Sequence, residues 1–129
     1  MKPENVVPLR HREEVQQNAE PIATIYRNLG TASAEQVVTR ALGEVALTMA
    51  GIADRVRSRD LEDMARRLRK LQQLAENLGM VSLSRVSSDV RSCLERGDAT
   101  AFAAVWARLI RIAERSLAIE RELMDQSHS

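Results

Sequence analysis

The sequence predicts an all-α fold, on three observations. All three prolines, Pro3, Pro8 and Pro21, lie in the first 21 residues, so the 108 that follow contain no obligatory helix breaker. Ala, Leu, Glu, Lys and Arg make up 62 of the 129 residues, and Tyr26, Phe102 and Trp106 are the only aromatics, a usage that suits long helices and not sheets. Beyond the prolines, apolar residues recur in steps of three and four, the stripe that turns one face of a helix into a core. The length suits one domain.

Residues 1–17 read as a flexible tail and 18–125 as the helical body. The first helix, about 19–29, carries Ile22, Ile25 and Leu29 and is closed by Gly30. The second, about 34–57, carries Val38, Leu42, Val45, Met49, Ile52 and Val56, with Ser33 and Gln36 placed as a capping box at its start. The third, about 61–78, turns Leu61, Met64, Leu68, Leu71, Ala75 and Leu78 to the core; Asp60 caps it and Gly79 closes it. The fourth, about 83–96, opens at Ser82 or Ser84 and carries Leu83, Val86, Val90 and Cys93. Gly97-Asp98 separates it from the fifth, about 100–124, with Phe102, Val105, Leu109, Ile112, Ser116, Ile119 and Leu123, broadened by Trp106, Ile110 and Ala113. Links this short make neighbouring helices antiparallel, so the expected architecture is an up-down-up-down four-helix bundle with a short additional N-terminal helix.

Two features exceed that plan. Leu47, Leu74, Trp106 and Ile110 lie beside the main stripes and either widen the core or form a homodimer interface. The stretch Glu114–Asp125 is expected to project past the bundle as an arm.

The residue inventory excludes most chemistry. There is no Gly-rich phosphate loop, His-Glu-x-x-His, Cys-x-x-Cys or pair of Glu-x-x-His segments, so neither a metal nor another cofactor is expected and the chain reads as a non-enzyme. His11 falls in the tail and His128 is the penultimate residue, where histidines are usually solvated. Cys93, the single cysteine, sits on an apolar stripe as a small buried hydrophobe and fits a reducing, cytoplasmic setting. The start lacks the apolar run of a signal peptide, and no membrane span is expected. A net charge of +1 gives no global field for nucleic acid. From Arg55 to Lys70, however, seven basic residues face three acidic ones.

The third helix is the most informative element. It runs Asp-Leu-Glu-Asp-Met-Ala-Arg-Arg-Leu-Arg-Lys-Leu-Gln-Gln-Leu-Ala-Glu-Asn-Leu-Gly from Asp60 to Gly79, and the next helix closes Cys-Leu-Glu-Arg-Gly-Asp at Asp98. Over about residues 36–117 this resembles the histidine-containing phosphotransfer (HPt) domain family. Asp60, Leu61, Met64, Leu71, Asn77, Leu78 and Gly79 fall on the family pattern without a gap, and Gly97-Asp98 follows at a suitable distance. The departure from the pattern is as specific as the agreement. Arg69 stands where the family carries its phosphoacceptor histidine, Gln72 where it carries a lysine, and Gln73 where it carries a glycine. A guanidinium is cationic at any working pH and has no lone pair with which to accept a phosphoryl group, so transfer through residue 69 is excluded.

With the apolar stripe facing inward, Glu62, Arg66, Arg69, Gln73 and Glu76 form the opposite face, flanked by Lys70 and Gln72. The resemblance implies that these seven residues dock a receiver domain or a histidine kinase in bacterial two-component phosphorelay signalling, without catalysis. On that reading an arginine pairs with the receiver's acidic pocket. Three other readings compete: a dimeric adaptor bundle with an unrelated partner, nucleic-acid binding by residues 55–70, and phosphotransfer through His11. No helix-turn-helix spacing or aromatic platform accompanies the basic segment, so nucleic acid is not an expected partner.

Overall fold

The computed structural model describes residues 14–127, and among these it is all-helical, with no strand. Five helices follow in order: α1 (Glu20–Leu29), α2 (Thr31–Ser58), α3 (Leu61–Asn77), α4 (Val81–Arg96) and α5 (Ala99–Ser127). None of them is long and apolar enough to cross a membrane. His11, His128 and residues 1–13 of the expected tail lie outside the described residues.

Three turns are built as their residues dictate. Gly30, at φ +80°, ends α1, its amide donating to Tyr26 O. The side chain of Asp60 accepts from the Asp63 amide at 3.2 Å and caps α3. Gly97, at φ +68°, closes α4, and the Asp98 side chain accepts from the Ala101 amide at 3.0 Å to start α5. Between α2 and α3 the left-handed position falls on a non-glycine, Arg59, at φ 60°.

Two expected caps are not used. Gly30 turns the chain so sharply that α2 begins at Thr31, with the Ala34 amide already donating to Gly30 O at 2.9 Å; Ser33 is inside the helix and caps nothing. Likewise α4 starts at Val81, after the fully buried Met80, instead of at Ser82 or Ser84. Its free amide is satisfied from afar, since Ser82 N donates to Gln16 O at 3.2 Å while Ser82 Oγ accepts from Gln16 N at 2.7 Å. Asn18 N adds a bond to Gly79 O at 2.7 Å, so residues 16–18 are fastened across the α3–α4 turn.

Cross-helix contacts set the register. Glu44 meets Lys70, Gly51 meets Arg67 and Arg55 meets Asp63, which makes α2 and α3 antiparallel. Glu76 with Ser84 and Gln72 with Arg91 do the same for α3 and α4. α5 packs on α4 and on α2, and α1 packs on α2. Leu42, Ile52, Met64, Leu68, Leu71, Leu83, Leu109 and Ile112 fill the centre, and Cys93 is buried beside them.

Three expectations about faces are corrected. Leu61 is 57% exposed instead of buried, because it opens α3 at the rim of the α2–α3 and α4–α5 turns. Leu123 is 54% exposed and Leu29 48%, each near a helix end. Glu114–Asp125 does not project: α2 and α5, of 28 and 29 residues, are longer than α3 and α4, of 17 and 16, so their overhanging turns cover one another and α1 packs there. Ser116, Leu117 and Glu120 are buried, and Thr39 Oγ1 on α2 lies 3.9 Å from Met124 Sδ.

Candidate functional site

The exposed face of α3 follows from the burial of its opposite one. Met64, Leu68, Leu71 and Ala75 are buried at three-four spacing, which leaves Glu62, Arg66, Arg69, Gln73 and Glu76 exposed. Lys70 is exposed beside them, and Gln72 is half-buried at the α4 edge. Asp60, Glu62, Asp63, Ala65, Arg66 and Arg69 line an open depression at the start of this face.

The seven cations between residues 55 and 70 are not equivalent. Three of them converge on one carboxylate: Arg55 and Arg66 pair with Asp63, and Arg67 Nε donates to Asp63 Oδ2 at 2.8 Å. Asp63 is nine-tenths buried, whereas Arg66 is 72% exposed at its side chain. Arg67 reaches this carboxylate by lying across Gly51 of α2, where an added Cβ would come within 2.6 Å of its Nη1. Arg57 pairs with Asp54, and Lys70 Nζ lies 3.4 Å from Glu44 Oε1. Among the described residues, Arg59 and Arg69 of this group have no ion-pair partner.

Downstream, polar side chains hold one another. Gln72 Nε2 donates to Glu76 Oε2 at 3.3 Å, Gln72 Oε1 accepts from Arg91 at 2.8 Å, and Glu76 Oε2 also accepts from Ser84 Oγ at 3.2 Å. Gln73 Nε2 donates to Asn77 Oδ1 at 3.5 Å. The structure thus brings all seven expected docking residues onto one helix, Gln72 and Glu76 already occupied at the α4 edge and Glu62 and Arg69 unengaged among the described residues. Chemically, Arg69 offers a planar guanidinium to a carboxylate or phosphate oxygen pair, and Arg66 offers a second whose position Asp63 sets.

The sequence reading missed Asp63 as the hub of this surface. In the sequence it is one of three acids in a charge run, yet its position one turn after the Asp60 cap, beside Arg55 on the preceding helix, makes it the carboxylate that Arg55, Arg66 and Arg67 share. The i, i+3 and i, i+4 spacings to Arg66 and Arg67 were the available signal. No family model, curated protein or solved structure matches this chain.

Proposed function

We propose that the chain is an antiparallel four-helix bundle of HPt type without a phosphoacceptor, docking a receiver domain or a histidine kinase through the exposed face of α3. In this role it modulates two-component phosphorelay signalling in the bacterial cytoplasm and catalyses nothing itself. The observation that carries the reading is Arg69, an exposed cation with no partner within the described chain, at the position where the family places its histidine. An arginine there meets the acidic pocket of a receiver with a charge-assisted, bidentate pair instead of a phosphoryl transfer. Asp63 contributes by holding Arg66 on the same face, so that two guanidinium groups are presented together.

The test is a panel of phosphorylated receiver domains incubated with the protein, scoring stable binding and phosphate transfer together. Binding without transfer is the expected result, with Arg69→Glu weakening it at least about tenfold at unchanged helicity. Transfer, or affinity indifferent to Arg69→Glu, would overturn it.

A second reading, the dimeric adaptor, is favoured by one feature. Leu47 is 72% exposed and Val37 43% on α2, apolar side chains that a second copy of the chain would cover. Light scattering decides it: a dimer has twice the monomer mass and reverts to monomer with Leu47→Glu.

A further inference from the structure

The overhang of α2 and α5 leaves a groove beside α1, of about 410 Å³. Ile22, Val38, Ile119, Leu123 and Met124 give it apolar walls, and Gln17 and Glu120 line it as well. Glu120 is 8% exposed, and Gln17 Nε2 donates to its Oε2 at 2.6 Å. No cation of the described residues pairs with Glu120. The other half of the Gln17 amide, Oε1, is buried and accepts from nothing among the described residues. A carboxylate and an amide oxygen therefore sit side by side in an apolar groove with one donor between them. A buried amide oxygen without a donor is uncommon unless something supplies the missing hydrogen.

The shortage defines what fits. A carboxylate favours a cation over a neutral donor, and the apolar walls favour a hydrocarbon body. A guanidinium brings five donors in a rigid plane, more than these acceptors can use, whereas a primary ammonium brings three on one compact atom. Tyr26 also lines the groove; burial first and the Glu35 charge second push its hydroxyl above the usual range, so it adds no negative charge to the site. We propose that this groove binds a small primary alkylammonium, its head donating to the Glu120 carboxylate and Gln17 Oε1 and its chain lying along Ile22, Ile119 and Leu123. The upward displacement of the Glu120 carboxyl, caused by burial and only partly offset by the Gln17 hydrogen bond, agrees with a carboxylate lacking its cation. The site is on the far side of the α3–α4 turn from Arg69 and is independent of the docking reading.

The test is an amide-resolved NMR titration of the full chain near neutral pH with n-hexylammonium, 1-hexanol and hexanoate as probes. The expected result is shifts confined to residues 16–19, α1, the start of α2 and the end of α5, with n-hexylammonium bound about tenfold more tightly than 1-hexanol and hexanoate the weakest. Glu120→Gln should erase the preference for the ammonium while 1-hexanol still binds, and Leu123→Ala, at a half-exposed position that folding tolerates, should weaken both probes alike. Equal affinity for ammonium and alcohol in the unaltered protein, shifts outside the groove, or a preference that survives Glu120→Gln would each overturn the proposal.

Discussion

Gly79 and Asp63 each hold two parts of the chain together. Gly79 is at φ +73°, and a Cβ there would lie 2.0 Å from the carbonyl oxygen of Asn18. The glycine is thus needed twice, for a left-handed turn and for the approach of another backbone. Gly79→Ala is expected to lower stability by at least about 1–2 kcal/mol in urea unfolding. It should also expose the Asn18 and Ser82 amides to exchange with solvent, which a purely local strain would not do. Asp63 is one carboxylate under three guanidinium groups, so removing its charge leaves them to repel one another. Asp63→Asn should cost roughly 1–3 kcal/mol, lowered from the range for fully buried pairs because its partners are partly in water. Arg66→Ala, at a side chain 72% exposed, should stay within about 0.5 kcal/mol. Equal effects of the two substitutions would show that Asp63 is no hub.

At the scale of the element, the helices are continuous where the apolar spacing is regular, and their ends are set by whichever group reaches the first free amides. Asp60 reaches the Asp63 amide within its own turn, so its capping was legible in order along the chain. Ser33 has an equally good local pattern, but Gly30 starts α2 three residues earlier and leaves the serine nothing to cap. The two residues make a paired prediction. Asp60→Ala should cost about 1 kcal/mol and Ser33→Ala less than about 0.5 kcal/mol, measured by urea unfolding of each single variant. At α4 the cap comes from Gln16, 66 residues away in sequence, a distance no local pattern encodes.

Across the whole molecule, the overhang of the two longest helices places a carboxyl in an apolar groove. Burial raises the Glu120 carboxyl above its ordinary range in the folded protein, so between the unfolded carboxylate value, about 4.3, and the raised folded one the folded state holds more protons than the unfolded state. This group's stabilising contribution is therefore fully present at acid pH and is lost as pH rises through the folded value. Glu120→Gln should flatten that part of the stability curve and raise stability at neutral pH relative to the parent. Chemical unfolding followed from pH 4 to 8 measures both, and parallel curves for parent and variant would remove Glu120 as the cause.

By itself the sequence determined the all-helical class, the sites of the turns and the exposed face of α3 with Arg69 on it, because spacing of apolar residues, glycine freedom and Asp60 capping act over one or two turns of chain. It could not determine that Asp63 gathers Arg55, Arg66 and Arg67, that Gln16 caps α4, or that Glu114–Asp125 packs beside α1 and α2 instead of projecting. Those outcomes depend on helix lengths and on groups brought together from distant positions, so only tertiary packing decides them. Gln17 and Glu120, 103 residues apart, show the difference most plainly: each alone is an ordinary polar residue, and their meeting in an apolar groove gives the carboxyl its unusual character.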